Sequence, residues 1–336
     1  MLALAGERRF LIGEWDDAWT ELEAAVSLAE QQGQRISIPQ SRAYQALIAA
    51  GRGDVPTARA LLVDLEPTLR DPTPPYGTEI VALAMAVLAE SSGDAEGAFD
   101  VLLRLWHHDA ERTIRYYHRF LSPPLVRIGL ASGRRAVVEG VVAMVEEGAA
   151  LASDVPTVQS AALRCRGLLD RDPEALLEAV EHSRAGHRVL EHAGTCEDAA
   201  EVLASVGRHG DAKDLLVEAC ERYEDLEASS WAGRVAAELR RLGVRRGARG
   251  TRRRPASGWA SLTGSEQAVS RLVAEGLTNR EVARRLHVSP HTVNTHLRHV
   301  FQKMSVTTRA QLAAEIARHS LITQSSDVLP TGRRAF

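Results

Sequence analysis

Between residues 290 and 304 the chain carries His291, Asn294, Thr295, Arg298 and Gln302 at intervals of three and four. On a helix of about 100° per residue these fall on one side, while Val293, Leu297, Val300 and Met304 fall on the other. The polar side offers amide, hydroxyl, imidazole and guanidinium groups and no carboxylate. Asparagine can pair in bidentate fashion with an adenine edge and arginine with a guanine edge, and a face without Asp or Glu does not repel phosphates. The chemistry on offer is hydrogen-bond readout of double-stranded DNA, not bond making.

Other reactive types do not assemble. There is no Gly-rich phosphate loop, and neither of the two lysines, Lys213 and Lys303, follows a glycine, so ATP hydrolysis is not expected. No serine elbow, catalytic carboxylate pair or Cys/His dyad emerges, so the chain is expected to be no enzyme and to need no cofactor. His107, His108 and His118 lie near one another in sequence, as do His182, His187 and His192. They are expected at the surface or as helix caps, not as metal ligands, for want of an i, i+4 pair with a carboxylate partner. Trp15, Trp19 and Trp106 are expected to fill core.

The elements that must hold the polar face are legible from their caps. Thr263 to Glu266 and Thr278 to Glu281 are capping boxes, Gly276 closes the helix that the first begins, and Ser289-Pro290 opens the helix that carries the face. Thr308 caps a fourth helix ending near His319. Four short helices, the second and third joined by a brief turn at His287-Val288, make a helix-turn-helix domain. Its core is expected to pair Val293, Leu297, Val300 and Met304 with Val269, Leu272, Val273, Val282 and Leu286, with Ala283 at the close crossing.

Charge separates this domain from the rest. Residues 1–239 hold 23 Lys+Arg against 39 Asp+Glu, whereas residues 240–336 hold 18 against 5. An acidic body with a basic end fits a nucleic-acid-binding appendage on a different module. The Arg/Gly-rich run at 240–258 is expected to be a solvated linker that adds non-specific affinity for phosphates. No window approaches 18 uncharged apolar residues, no signal or transit sequence fits the start, and three scattered cysteines suit a reducing cytoplasm.

The acidic body is periodic. Gly13, Gly53, Gly93 and Gly133 stand 40 residues apart, and Ala18, Ala58 and Ala98 each follow five residues on. Looser copies begin at Asp170 and Gly207, with Ala175 and Ala212 as their small residues. Helical hairpins that each cannot bury an apolar face alone are expected to stack into an array over 1–239. The expected fold class is thus all-α: a repeat array, a linker at 240–258, a four-helix domain at 259–319 and a disordered tail at 320–336.

Three resemblances sharpen this reading. The opening Leu-Thr at 262–263, Glu266, the segment Gly276 to Ala283, Ser289, Thr292-Val293, His296, Lys303 and Arg309 resemble the LuxR/GerE-type DNA-binding domain. The array is similar to tetratricopeptide-like hairpins. Its last part, joined to the four-helix domain, is similar to the C-terminal part of the large ATP-binding LuxR-type regulators of actinobacteria, here without the ATPase. The resemblance implies a sequence-specific transcription regulator of bacterial promoters, binding as a homodimer paired through the fourth helix, with RNA polymerase a further partner and an unknown ligand or protein on the repeats. It places Asn294, Thr295 and Arg298 at base-reading positions. It places Thr278, Asn279, Arg285, Ser289, Thr292, His296, Lys303 and Arg309 at backbone contacts or structural caps. Ser265, Asn294 and Met304-Ser305 depart from the pattern, which usually has Arg, Lys and Leu-Gly there. The competing reading is an interaction scaffold whose helix-turn-helix end does not read DNA.

Overall fold

Left-handed turn residues set the architecture of the acidic part. In the computed structural model, which describes residues 1–34, 36–71, 77–111, 118–244, 258–286, 288 and 290–326, Gly13, Gly53, Gly93, Gly133 and Gly207 all have positive φ. Each N–H bonds back to the carbonyl three residues earlier, and the next residue's N–H reaches the carbonyl five before its own position, as in Gly53 to Ala50 and Asp54 to Ala49. This ending satisfies the last carbonyls of a helix and reverses the chain. Five residues beyond each glycine sits a side chain with no exposed surface: Ala18, Ala58, Ala98, Val138 and Ala212.

One copy is displaced from the expected register. Here the left-handed residue is Arg171, φ 54, and the buried position is Leu176, not the half-buried Ala175. No glycine marks this turn. Instead Asp172 caps the following helix by accepting from the Glu174 and Ala175 N–H groups, so the strained residue lies one place later than the sequence pattern suggests.

The chain divides into two units, Met1–Arg249 and Gly250–Phe336. Among the described residues all regular structure is helical. The first unit contains α1 (Leu2–Ile12), α2 (Trp15–Gln32), α3 (Ile38–Gly51), α4 (Val55–Leu62), α5 (Thr78–Ser91), α6 (Ala95–Glu111) and α7 (His118–Ala131). It continues with α8 (Arg135–Ala150), α9 (Pro156–Asp170), α10 (Pro173–Ala185), α11 (Val189–Ser205), α12 (His209–Asp225) and α13 (Ser229–Arg241). Sequential helices pack as hairpins around one continuous apolar core. Trp15 and Trp106 are fully enclosed as expected, while Trp19 is half-buried.

The array closes on itself. Trp231 of α13 meets Trp15 edge-on at 5.8 Å, and the Ser229 hydroxyl donates to the Arg52 carbonyl at 3.0 Å. Gly51 sits between the two indoles, where a Cβ would lie 3.0 Å from Trp15 and 3.1 Å from Trp231. Within the closed array lies a cavity of about 860 Å³, lined by Tyr44, Phe120, Trp231, Arg127 and Arg164 among others.

Two boundaries differ from the sequence reading. Helix α13 runs through Arg241, and Leu242 and Val244 pack against the array core, so residues 240–244 belong to the array and not to a linker. Their apolar side chains fold back because the Val244 N–H bonds the Leu239 carbonyl past Gly243. The rest of the Arg/Gly run, 245–257, lies outside the described residues. At the other end, the last helix continues to Ser326 instead of stopping near His319, because no glycine or proline interrupts the chain before Pro330. Residues 327–336 of the expected tail also lie outside the described residues.

His192 departs from expectation as well. It is buried, with its ring between Ser183 and Glu218, instead of lying at the surface or on a cap. The sequence did not announce this because Glu218 comes from the next helix. Among the described residues no helix is long and apolar enough to cross a membrane.

Candidate nucleic-acid interface

The second unit contains a short 3-10 turn at Trp259–Ser261 and then α14 (Gly264–Ala274), α15 (Asn279–Leu286), α16 (Pro290–Lys303) and α17 (Arg309–Ser326). Both expected capping boxes form. Thr263 and Glu266 exchange bonds of 2.7 and 3.1 Å, and Thr278 and Glu281 exchange bonds of 2.7 and 3.4 Å. The Thr278 backbone N–H, with its hydroxyl, holds the Glu281 carboxyl below the usual carboxylate range. At α17 the Thr308 hydroxyl accepts from the Gln311 N–H at 3.2 Å, but the Gln311 amide reaches back to Thr307 instead.

These caps aim α16. Val293, Leu297, Val300 and Met304 are buried against Val269, Val273, Val282 and Ala283, with Leu272 and Leu286 at the margin. That burial fixes which side of α16 faces out. Pro290, Asn294, Arg298 and Gln302 are exposed in an i, i+4 row with no carboxylate among them. Thr295 and His291 lie on the helix, but their side chains are outside the described residues, as are His287 and Ser289 altogether.

The expected backbone contacts divide into two sets. Arg285 is exposed on α15, and among the described residues neither it nor Arg298 is held by a carboxylate. Arg280 and Arg284, which the sequence did not single out, are exposed on the same helix. Their signal in the sequence is the run of arginines at 280, 284 and 285. The other set is built into the fold. The Lys303 ammonium donates to both oxygens of Glu266 at 2.9 and 3.0 Å, and Glu266 has no exposed surface. The Arg309 guanidinium donates to the Asn279 side-chain oxygen and to the Leu277 carbonyl, tying α17 to the start of α15. Thr292 and His296 are only 6% and 5% exposed. Thr278 is spent on its cap.

One departure from the family pattern also has a visible cost. Ser305 takes a left-handed conformation, φ 54, at the end of α16 where glycine is common. A side chain there costs about 1–2 kcal/mol.

Residues 260–316 match the family described as bacterial regulatory proteins, luxR family. HTH-type transcriptional regulators of Mycobacterium bovis and Mycobacterium tuberculosis are each 57% identical to the chain over 70 residues, 21% of this chain. The chain spans 8% of the length of those mycobacterial relatives. The HTH-type transcriptional regulator AlkS of Ectopseudomonas oleovorans is 36% identical over 63 residues, 19% of this chain and 7% of AlkS. The nitrate/nitrite response regulator protein NarL of Escherichia coli is 38% identical over 52 residues, 16% of this chain and 24% of NarL. No solved structure matches the chain. With four helices in the right order, caps at Thr263, Thr278 and Thr308, and an exposed, acid-free row on the third helix, residues 260–316 form a domain of the luxR family of bacterial regulatory proteins.

Proposed function

We propose that the chain is a cytoplasmic, sequence-specific DNA-binding transcription regulator that inserts α16 into the major groove of promoter DNA. Asn294, Thr295 and Arg298 read base edges. Arg285, with the exposed Arg280 and Arg284 beside it, meets the phosphate backbone. Thr278, Asn279, Ser289, Thr292, His296, Lys303 and Arg309 act first as the frame that orients those groups, and touch the duplex second. The observation that carries this reading is the exposed row Asn294, Arg298 and Gln302, free of carboxylates, on a helix whose opposite side is buried.

The chain binds as a homodimer on two half-sites through α17, and contact with RNA polymerase accompanies the regulator role. The repeat array receives the signal, a small ligand or a partner protein. Support for a ligand is the cavity of about 860 Å³, where aromatic side chains stand beside Arg127 and Arg164.

A mobility-shift titration of the full chain against fragments of its source genome tests the DNA reading. Retention of a few fragments over a large excess of random duplex is expected, with log affinity falling against log salt by about 0.9 per neutralised phosphate. Uniform retention, or none, would favour the scaffold reading.

A further inference from the structure

The array holds a cluster that its role in regulation does not use. His192 and Cys196 stand one turn apart on α11, and Glu218 reaches them from α12. The His192 Nε2 atom lies 2.8 Å from the Glu218 Oε1 and 3.7 Å from the Cys196 Sγ. One ligand atom from each of the three residues lies within 4.8 Å of the others. Zinc bonds of about 2.0–2.3 Å put neighbouring ligand atoms about 3.3–3.8 Å apart in a tetrahedron. The sulfur–nitrogen edge already has that length, and the nitrogen–oxygen edge needs to open by about half an ångström.

The hydrogen bonds around the ring point the same way. The Ser183 Oγ lies 2.8 Å from the Val180 carbonyl and 2.7 Å from the His192 Nδ1. If the Ser183 hydrogen goes to the Val180 carbonyl, the Ser183 oxygen accepts from Nδ1–H and Nε2 carries the lone pair; if it goes to Nδ1, Nε2–H donates to Glu218. The first arrangement turns the Nε2 lone pair toward the Glu218 carboxylate at 2.8 Å and is the form that a metal ion between them would select. A metal-bound histidine commonly donates its other nitrogen's hydrogen in this way, which fixes the ring and the tautomer. Arg184 forks the Glu218 carboxylate from outside, to Oε2 at 2.8 Å and more weakly to Oε1 at 3.3 Å, so Oε1 faces both the cluster and this guanidinium. His192 and Cys196 are 5% and 0% exposed, and Glu218 is the half-exposed member through which an ion would enter.

We propose that His192, Cys196 and Glu218 bind one zinc-class divalent cation, the fourth position being filled by water. A nitrogen, a thiolate and a carboxylate form a borderline-soft set that suits zinc or cobalt better than magnesium or calcium. On binding, the Cys196 thiol gives up its proton to solvent, and the thiolate and the Glu218 carboxylate together match the ion's charge. The ion would clamp α11 to α12.

Cobalt(II) titration of the metal-free full chain tests this site. One equivalent is expected to produce a sulfur-to-cobalt charge-transfer band with d–d absorption of tetrahedral strength, and zinc is expected to displace it. Cys196→Ser should abolish the band, whereas Cys165→Ser and Cys220→Ser, which remove the other two buried thiols, should keep it. Glu218→Gln on the half-exposed edge should fold whatever Cys196→Ser does, and should weaken cobalt binding at least tenfold. Ser183→Ala should weaken it about 10–100-fold by releasing the ring. A folded wild-type chain with no sulfur-to-cobalt band would overturn the proposal and leave the ring as a hydrogen-bond partner of Glu218. So would a band that survives Cys196→Ser, or cobalt affinity unchanged in Glu218→Gln.

Discussion

The two units use arginine in opposite ways. Across the array, arginines bridge neighbouring helices to carboxylates: Arg127 to Glu90, Arg164 to Asp198 at 2.6 Å, Arg166 to Glu146 and Arg234 to Glu197. In the luxR-family domain, α15 and α16 put Arg285 and Arg298 into solvent, and among the described residues no carboxylate holds them. Even there the cations split, since Lys303 and Arg309 are bound into the frame. Composition alone would make the whole basic end a DNA surface. Pairing says which cations are staples and which are free to meet a ligand.

That contrast is open to attack at named positions. The largest effect is expected from Lys303→Met. It strands the buried Glu266 carboxylate and should destabilise the DNA-binding unit by about 3 kcal/mol in a denaturant titration. Affinity per folded molecule should fall by much less, and a normal melt with weakened binding would instead make Lys303 a phosphate contact first. Next, Arg164→Leu leaves Asp198, 4% exposed, with the more distant Arg127 at 3.9 Å. The array should lose about 2 kcal/mol while DNA binding stays intact. Ser305→Gly should stabilise the DNA-binding unit by about 1 kcal/mol by relieving its left-handed backbone. Arg285→Ala should leave both melts unchanged and lower the salt slope of DNA binding by about one. An unchanged slope would remove Arg285 from the interface.

Much of the fold could be read from the chain because its punctuation is local. The turns at Gly13, Gly53, Gly93 and Gly133 and the caps at Thr263 and Thr278 depend on residues within a few places of one another. The apolar side of α16 and its partners were legible for the same reason, since a period of 3.6 fixes the face. What escaped depends on the next helix. Leu176 replaced Ala175 because Arg171 took a conformation that glycine usually marks. The pairing of Lys303 depends on Glu266 arriving from α14, and the burial of His192 on Glu218 arriving from α12. Pairing across helices has no signature in spacing along one.

The central claim is that the outer row of α16 distinguishes bases. It is tested most directly by selecting bound sequences from a random DNA library with the full chain and with Arg298→Ala in parallel. The account predicts a shared motif that loses its preference at one base pair per half-site in the variant, worth about 1–3 kcal/mol, with the remaining positions intact. A variant that selects the same motif, or that loses affinity for all sequences equally, would contradict it.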